Sequence, residues 1–483
     1  MKQHTPHRNT KTTTYRLLRN ITFIIMICSI FSTETFAKKR ELKPRLVVCT
    51  DIGSPDVEPD DMESAVRLLA YADLIEIEAI ITTVGWNCDP YPPKWAEYLT
   101  QVIDGYEKDI PNLMKRSGQK RFNSLSKEHK TQEIGYWPSA SYIRSRAMMG
   151  SERAGIKVIG GNNNSAGSDF LIRLADEPDE RPIWVAAWGS ANTLAQAIWK
   201  VKQTRTPEEV RAFVRKFRVY TITDQDMDYG KRTDLSYSSH MWLREEFEED
   251  LMFIWDEGTW QLQCDLGKSN WELHERNIQN KGAMGSAYPK YKWGVEGDTP
   301  SFLYILPNGL SNPEDPTQVN WGGVHAFGIS PDKKTKAWTS WENPTREMTC
   351  KYKTAFYKDE LNDFMARMQW IHEGKGNTNP NIIINGIGGH SVIEMKAKAG
   401  SQLLIDASKS HDKENNKLRF KWWQQTDAGS YNKSINLTDG NVSSLNIDIP
   451  NDASNKEIHI ICEVHDNGDF DLVSYKRIII DVE

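Results

Sequence analysis

The residues that could do chemistry come early in the chain. Thr50-Asp51-Ile52-Gly53 closes a short apolar run, Leu46-Val47-Val48-Cys49-Thr50, which reads as a buried strand. Glu58-Pro59-Asp60-Asp61 then opens a segment with apolar residues at 62, 65, 66, 69 and 72, a helical stripe. Asp51, Asp60 and Asp61 therefore converge at one sheet edge, with Asp56 and Glu58 close by. Crowded carboxylates repel one another unless a cation or shared protons compensate. An all-oxygen donor set points to Ca²⁺ or Mg²⁺ rather than zinc. Taken singly, Asp60 and Asp61 could merely cap a helix and Asp51 could be a turn residue. Their placement as a set after a buried first strand favours a site.

Thr223-Asp224-Gln225-Asp226 follows a strand expected at 218–223, so it falls at the same edge and reads as a substrate contact. Trp86 is a candidate sugar platform through its flat apolar face, whereas Trp188 reads as packing. The Gly-rich stretch 160–168 lacks the Lys of a phosphate loop, and no GxSxG motif is present.

The elements that must position these residues alternate. Strands are expected at 46–50, 75–83, 182–188, 218–223 and 251–255. Helices are expected at 60–72, 94–105, 191–202 and 240–250, with a capping box at Thr206-Pro207-Glu208-Glu209. This order implies a mostly parallel sheet flanked by helices, with ligands at the carboxyl ends of its strands. Past the polar stretch Gly374–Pro380 the pattern alternates with period two. Strands at 392–398, 402–405, 418–423, 435–437, 445–449, 457–464 and 475–482 suggest an antiparallel immunoglobulin-like sandwich. The expected layout is a signal peptide at 1–37, an α/β domain at 38–376 and a β-sandwich at 381–483.

The 483 residues are 39% hydrophobic and 26% charged, an ordinary globular composition. A net charge of −6 argues against a nucleic-acid partner held by a basic surface. The start carries Lys2, Arg8, Lys11, Arg16 and Arg19, an apolar run at 21–31 and small residues ending at Ala37. This reads as a secretory signal peptide, too short to span a bilayer, and predicts a secreted or periplasmic protein. No small residue precedes Cys28, so a lipoprotein is not expected. No other stretch reads as a transmembrane segment. Cys49, Cys88, Cys264, Cys350 and Cys462 remain, an odd number without CxxC spacing, so neither a zinc site nor a disulfide pairing is assigned.

A family resemblance rests on these residues. The run 48–53 followed by Asp60-Asp61 resembles the acidic signature that opens nucleoside hydrolases. In the same order, 79–87 is similar to that family's second strand and its Asn, and Asp109-Ile110-Pro111 to its third-strand entry. The segment 185–195 is similar to its strand, Gly and helix that supply a backbone ligand. Gly297-Asp298-Thr299-Pro300 resembles its late His-Asp motif. Thr223-Asp224-Gln225-Asp226, the run 297–304 and Trp321-Gly322-Gly323 resemble more closely a secreted nucleoside-hydrolase-like family. That family is often labelled cellulose-binding and carries a C-terminal immunoglobulin-like (PKD-type) domain, which 404–412 also resembles.

The resemblance implies Ca²⁺ held by Asp51, Asp61, Asp298 and the backbone carbonyl of Asn192. Asp60 and Asn87 would face the sugar, and Asp51 would take a proton from the attacking water. Three positions depart from the nucleoside-hydrolase pattern. The Asp51–Asp60 spacing is longer, Asn192 replaces a Thr, and Gly297 stands where many members have a His that protonates the leaving base. Glu296, Asp224 and Asp226 are the candidates for that acid.

The expected function is calcium-dependent hydrolysis of a glycosyl bond in a saccharide or glycoside. Asp51, Asp60 and Glu296 would be catalytic, and Trp86, Asn87, Asp224, Gln225 and Asp226 would contact substrate. The alternatives are a non-catalytic cellulose-binding protein on the same fold, and a true nucleoside hydrolase.

Overall fold

β1 (Arg45–Thr50) and β2 (Glu76–Thr82) are buried at every residue, as strands covered on both faces must be. This computed structural model describes residues 41–227, 234, 237–437 and 441–483; the expected signal peptide, with Cys28, lies outside them. Six further strands complete the large sheet: β3 (Ala147–Met149), β4 (Ile183–Ala187), β5 (Phe217–Ile222), β6 (Met252–Asp256), β7 (Ala326–Ile329) and β8 (Lys336–Thr339). Their order is β3-β2-β1-β4-β5-β6-β8-β7, and only the β7–β8 pair is antiparallel. The chain steps from β1 to one side, then returns to its other side at β4. That reversal opens a crevice beyond the carboxyl ends of β1 and β4, where ligands of such sheets sit.

The helix Pro59–Ala70 buries every residue except Asp60. Its apolar face joins a core with Leu46, Val48 and Ile80 of the sheet. Asp109-Ile110-Pro111 does not enter a strand: it lies within the helix Ala96–Ser117. Leu99, Val102, Ile103, Tyr106, Ile110 and Leu113 keep one apolar face buried across that stretch. This burial outweighs the backbone bond lost at Pro111. The third strand instead begins at Ala147.

Beyond the helix Thr345–Glu373, which stops at a left-handed Gly374, the chain is all β. β9 (Ile393–Ala397), β11 (Arg419–Gln424), β13 (Lys456–His465) and β14 (Val473–Val482) form one sheet in the order β11-β13-β14-β9. β10 (Gln402–Asp406) and β12 (Ser444–Asp448) form the other. Ile405 and Ile447 of the small sheet share a core with Ile458, Ile460, Ile478 and Ile480 of the larger. The antiparallel expectation fails at one pair, since β9 runs parallel to β14, and residues 435–437 form no strand.

Residues 41–483 make one compact unit, and β13 and β14 show how. Ile460 and Cys462 face the C-terminal core, while Ile461, Val473 and Tyr475 enter the core beneath the large sheet. The Tyr475 hydroxyl donates to Asp359 (2.7 Å) on the long helix. The buried Arg477 donates to the carbonyls of Leu310 (2.7 Å) and Val319 (3.3 Å). Trp423 stacks on Tyr352 with ring centroids 5.9 Å apart. Trp422 faces the C-terminal core, as adjacent strand residues point to opposite faces. The five described cysteines are unpaired. Among the described residues no helix is long and apolar enough to cross a membrane.

This shared core predicts cooperative behaviour. Tyr475→Ala removes a buried ring and a hydrogen bond, and should cost about 3 kcal/mol. Urea unfolding should show one transition in both proteins, at lower urea in the variant. Two separated transitions in the parent would contradict a shared core.

Candidate functional site

Asp51 follows the last residue of β1. The Thr50 hydroxyl donates to Asp61 and accepts from the Ile52 N–H (3.0 Å), tying the strand end to the first turn of Pro59–Ala70. Glu58 occupies the N-cap position of that helix but makes no side-chain capping bond. Its carboxyl turns instead towards its neighbours, and one oxygen each of Glu58, Asp60 and Asp61 lies within 4.8 Å of the others. Asp298, just ahead of the short helix Pro300–Leu303, lines the same cavity. The Asn87 backbone N–H donates to Asp51. Gly85 passes so close that a Cβ there would lie 2.3 Å from the Asp51 carboxyl carbon, which explains the glycine.

Burial, then the neighbouring acids, dominate the electrostatics. Asp51 is pushed up to about 7, by burial first and by Asp60 among its neighbours. Glu58, Asp61 and Asp298 are raised well above the usual carboxylate range, again by burial before mutual repulsion. Asp51 Oδ2, Glu58 Oε2 and Asp298 Oδ2 are buried without a hydrogen-bond partner. Orphaned buried oxygens are costly. A hard divalent cation satisfies several at once, so this donor set fits one.

The cavity above these acids holds about 290 Å³, and four indoles line it: Trp86, Trp188, Trp260 and Trp293. The Trp86 backbone N–H donates to Gln225 Oε1 (3.1 Å), so the turns after β2 and β5 brace each other. Trp188 both packs and shapes the wall. Its indole N–H donates to Ser301 Oγ (2.7 Å), and that hydroxyl donates to the Asp298 carbonyl (2.6 Å). Trp260 and Trp293 were not anticipated, and neither was Glu58 as a full member of the cluster. The one signal for them was the number of tryptophans ahead of residue 374.

The structure therefore brings together Asp51, Asp60, Asp61, Trp86, Asn87, Gln225 and Asp298. Four expected residues stand outside the cavity wall. Glu296 is fully buried: its carboxylate pairs with Arg67 and accepts from Tyr288 (2.8 Å) and Gln263 (3.2 Å). Held that way it cannot protonate a leaving group. Asp224 accepts from Ser238 (2.6 Å), and Asp226 from Ser190 and the Ser239 N–H (2.6 Å). These two flank Gln225 and fix its loop, with no contact to the cavity. Asn192 opens the helix Asn192–Lys202, and its side chain is engaged with both backbone groups of Gly155. These bonds engage the side chain and leave the backbone carbonyl, the group the resemblance assigns to the metal, outside the cavity lining. Gly297 has a steric reason, because a Cβ there would lie 2.7 Å from Asp60 Oδ2.

An acid whose pKa folding raises opposes folding once it ionises. Stability from Asp51 is thus present below the ordinary value near 4 and is lost as pH rises through about 7. In chelator, the melting temperature should fall across that window, and Asp51→Asn should flatten the slope. Ca²⁺ or Mg²⁺ should raise it more at about pH 7.5 than at about pH 5. An equal gain at both pH values, or in Asp51→Asn, would remove Asp51 from the ligand set.

The nucleoside hydrolase-like domain of cellulose-binding Sde182 matches residues 45–325, and the C-terminal domain of cellulose-binding protein Sde0182 matches residues 402–482. A solved structure is similar throughout: a nucleoside hydrolase-related hypothetical protein from Saccharophagus degradans that is associated with carbohydrate metabolism. It shares 30% identity with a TM-score of 0.77, over 91% of this chain and 100% of that one. No curated protein matches in sequence. With more than half its length matched and the same sheet underlying its acidic cavity, the chain belongs to the Sde182 family of nucleoside hydrolase-like, cellulose-binding proteins.

Proposed function

We propose that this protein hydrolyses a glycosyl bond in a carbohydrate outside the cytoplasm, with a divalent cation, Ca²⁺ by the family resemblance. Cellulose-derived chains are the carbohydrate to which the family description points. The observation that carries the reading is the pairing of orphaned buried carboxylates with four indoles in one cavity. Indole faces alone suffice to hold a sugar, and a protein that only binds gains nothing from unpaired buried acids.

Asp51, Asp61 and Asp298 are the proposed ligands. A bound cation supplies Lewis-acid polarisation of a water and of sugar hydroxyls. Asp51 would accept a proton from the attacking water. Asp60 and the exposed Asn87 hydrogen-bond sugar hydroxyls, and Trp86, Trp188 and Trp260 exclude bulk solvent and hold the ring. Ionised carboxylates nearby stabilise the positive charge that develops on the sugar, and a single displacement inverts the anomeric centre. One oxygen each of Glu58 and Asp60 lies within 4.8 Å of the other, and burial followed by the neighbouring acids raises Glu58 well above the usual carboxylate range. This pair is the proposed donor to the leaving oxygen.

A second reading, binding without cleavage, draws on Gly297, which offers no side chain where the resembled hydrolases have an acid. Incubation with Ca²⁺ and cellulose, cello-oligosaccharides, aryl glycosides and nucleosides separates the readings. Sugar release that falls roughly 100-fold or more in Asp51→Ala is expected. Carbohydrate binding without release, equal in both proteins, would establish the second reading. Base release from nucleosides would identify a nucleoside hydrolase.

A further inference from the structure

Trp293 is the least expected residue at the site. It is 66% exposed, the most open of the large hydrophobic side chains, yet it lines the acidic cavity. An exposed indole is ordinarily free to turn, and this one is anchored. Its N–H reaches the Val57 carbonyl (3.4 Å). The ammonium of Lys292 lies 4.9 Å from the centre of its ring and bonds the Asp56 carbonyl. Both acceptors belong to the loop between β1 and the helix Pro59–Ala70, which the Val57 and Glu58 N–H groups fold back onto the Ser54 carbonyl (2.7 and 2.8 Å). This is the loop that is longer than in nucleoside hydrolases. Its added residues make a shelf that grips the 292–293 segment.

The fixed ring presents one free face, since Lys292 covers the other. A flat apolar face held rigidly at a mouth costs little entropy when it stacks on a ligand. Pyranose rings offer a matching face of weakly positive C–H groups, which pack on the negative face of an indole. The cavity itself, about 290 Å³, stands at the small end of ligand pockets, which run from about 300 to 1,000 Å³. A ligand that fills it and also meets Trp293 must continue outward past the rim. The carboxylates beneath disfavour an anionic chain.

We propose that Trp293 is the platform of a second subsite at the cavity mouth, binding the pyranose next to the one held over the acids. The ligand is accordingly a neutral sugar chain of at least two rings and not a nucleoside or a monosaccharide glycoside. This rests on the carbohydrate reading above, but not on cleavage.

The test is calorimetric titration of the full protein, with Ca²⁺, by glucose and by the cello-oligosaccharides from cellobiose to cellopentaose. Wild-type affinity should rise roughly tenfold or more with added rings. Trp293→Ala should lose that gain and keep the affinity for the shortest ligand bound, and Trp293→Tyr should restore most of the gain. The exposure of Trp293 makes misfolding of these variants an unlikely confounder, and an unchanged melting temperature checks it. Equal affinity at every length, an equal gain in Trp293→Ala, an equal loss at all lengths, or no binding overturns the subsite. Binding that lengthens with the chain but yields no release overturns hydrolysis and leaves the subsite standing. Release with no length dependence does the reverse.

Discussion

Carboxyl groups withheld from water at one strand edge are the constraint around which this molecule is organised. Several buried acids elsewhere have a cation of their own: Glu296 has Arg67, Glu360 has Lys353, and Asp332 has Arg244. At the end of β1 none of the described residues supplies such a side chain, and Asp51, Glu58 and Asp298 each keep an oxygen without a partner among them. Breaking a buried pair is expensive because it leaves an uncompensated charge. What sets this group apart is the crowding of several such acids around one cavity, a donor set that suits a cation brought from outside.

The surrounding structure serves to hold that arrangement still. Arg67 lies on the same helix as Asp60 and Asp61, and besides pairing with Glu296 it donates to the Glu360 carbonyl (2.8 Å) on the long C-terminal helix. That helix in turn carries Asp359, the acceptor of Tyr475. A continuous chain of buried polar contacts therefore runs from the acidic helix to the C-terminal sheets. The C-terminal region braces the helix that braces the site, although no residue of it lines the cavity.

The sequence made the strand-end acids legible because a buried parallel strand is a local signal, and its carboxyl end is where side chains meet a ligand. Asp51 and Gln225 could be placed at the edge on that ground, and Asp61 from the helix that follows, whereas Asn87 came from the family resemblance. The local signal failed where position along the chain was taken for direction in space. Glu296 adjoins Asp298, yet it is buried among Arg67, Tyr288 and Gln263, and Asp224 and Asp226 flank the cavity residue Gln225 while facing Ser238 and Ser190. Trp260 and Trp293 left no local trace, since each reaches the site through tertiary packing. Asp109-Ile110-Pro111 misled because a short match to the family pattern was taken for a strand entry, whereas the buried apolar face of the helix around it extends over a longer stretch.

Two of the three departures from the nucleoside-hydrolase pattern, the longer first loop and the glycine at 297, meet at Asp60. The loop sets Glu58 ahead of the helix, with its carboxyl against Asp60, and Asp60 Oδ2 then lies where a Cβ on residue 297 would meet it. A side chain at that position would have to shift the Asp60 carboxylate. The space that the resembled hydrolases give to an imidazole is here bounded by two carboxyls on one side and by an anchored indole at the rim. On the proposed reading these carboxyls serve a leaving oxygen, and the flat indole at the rim serves a sugar face.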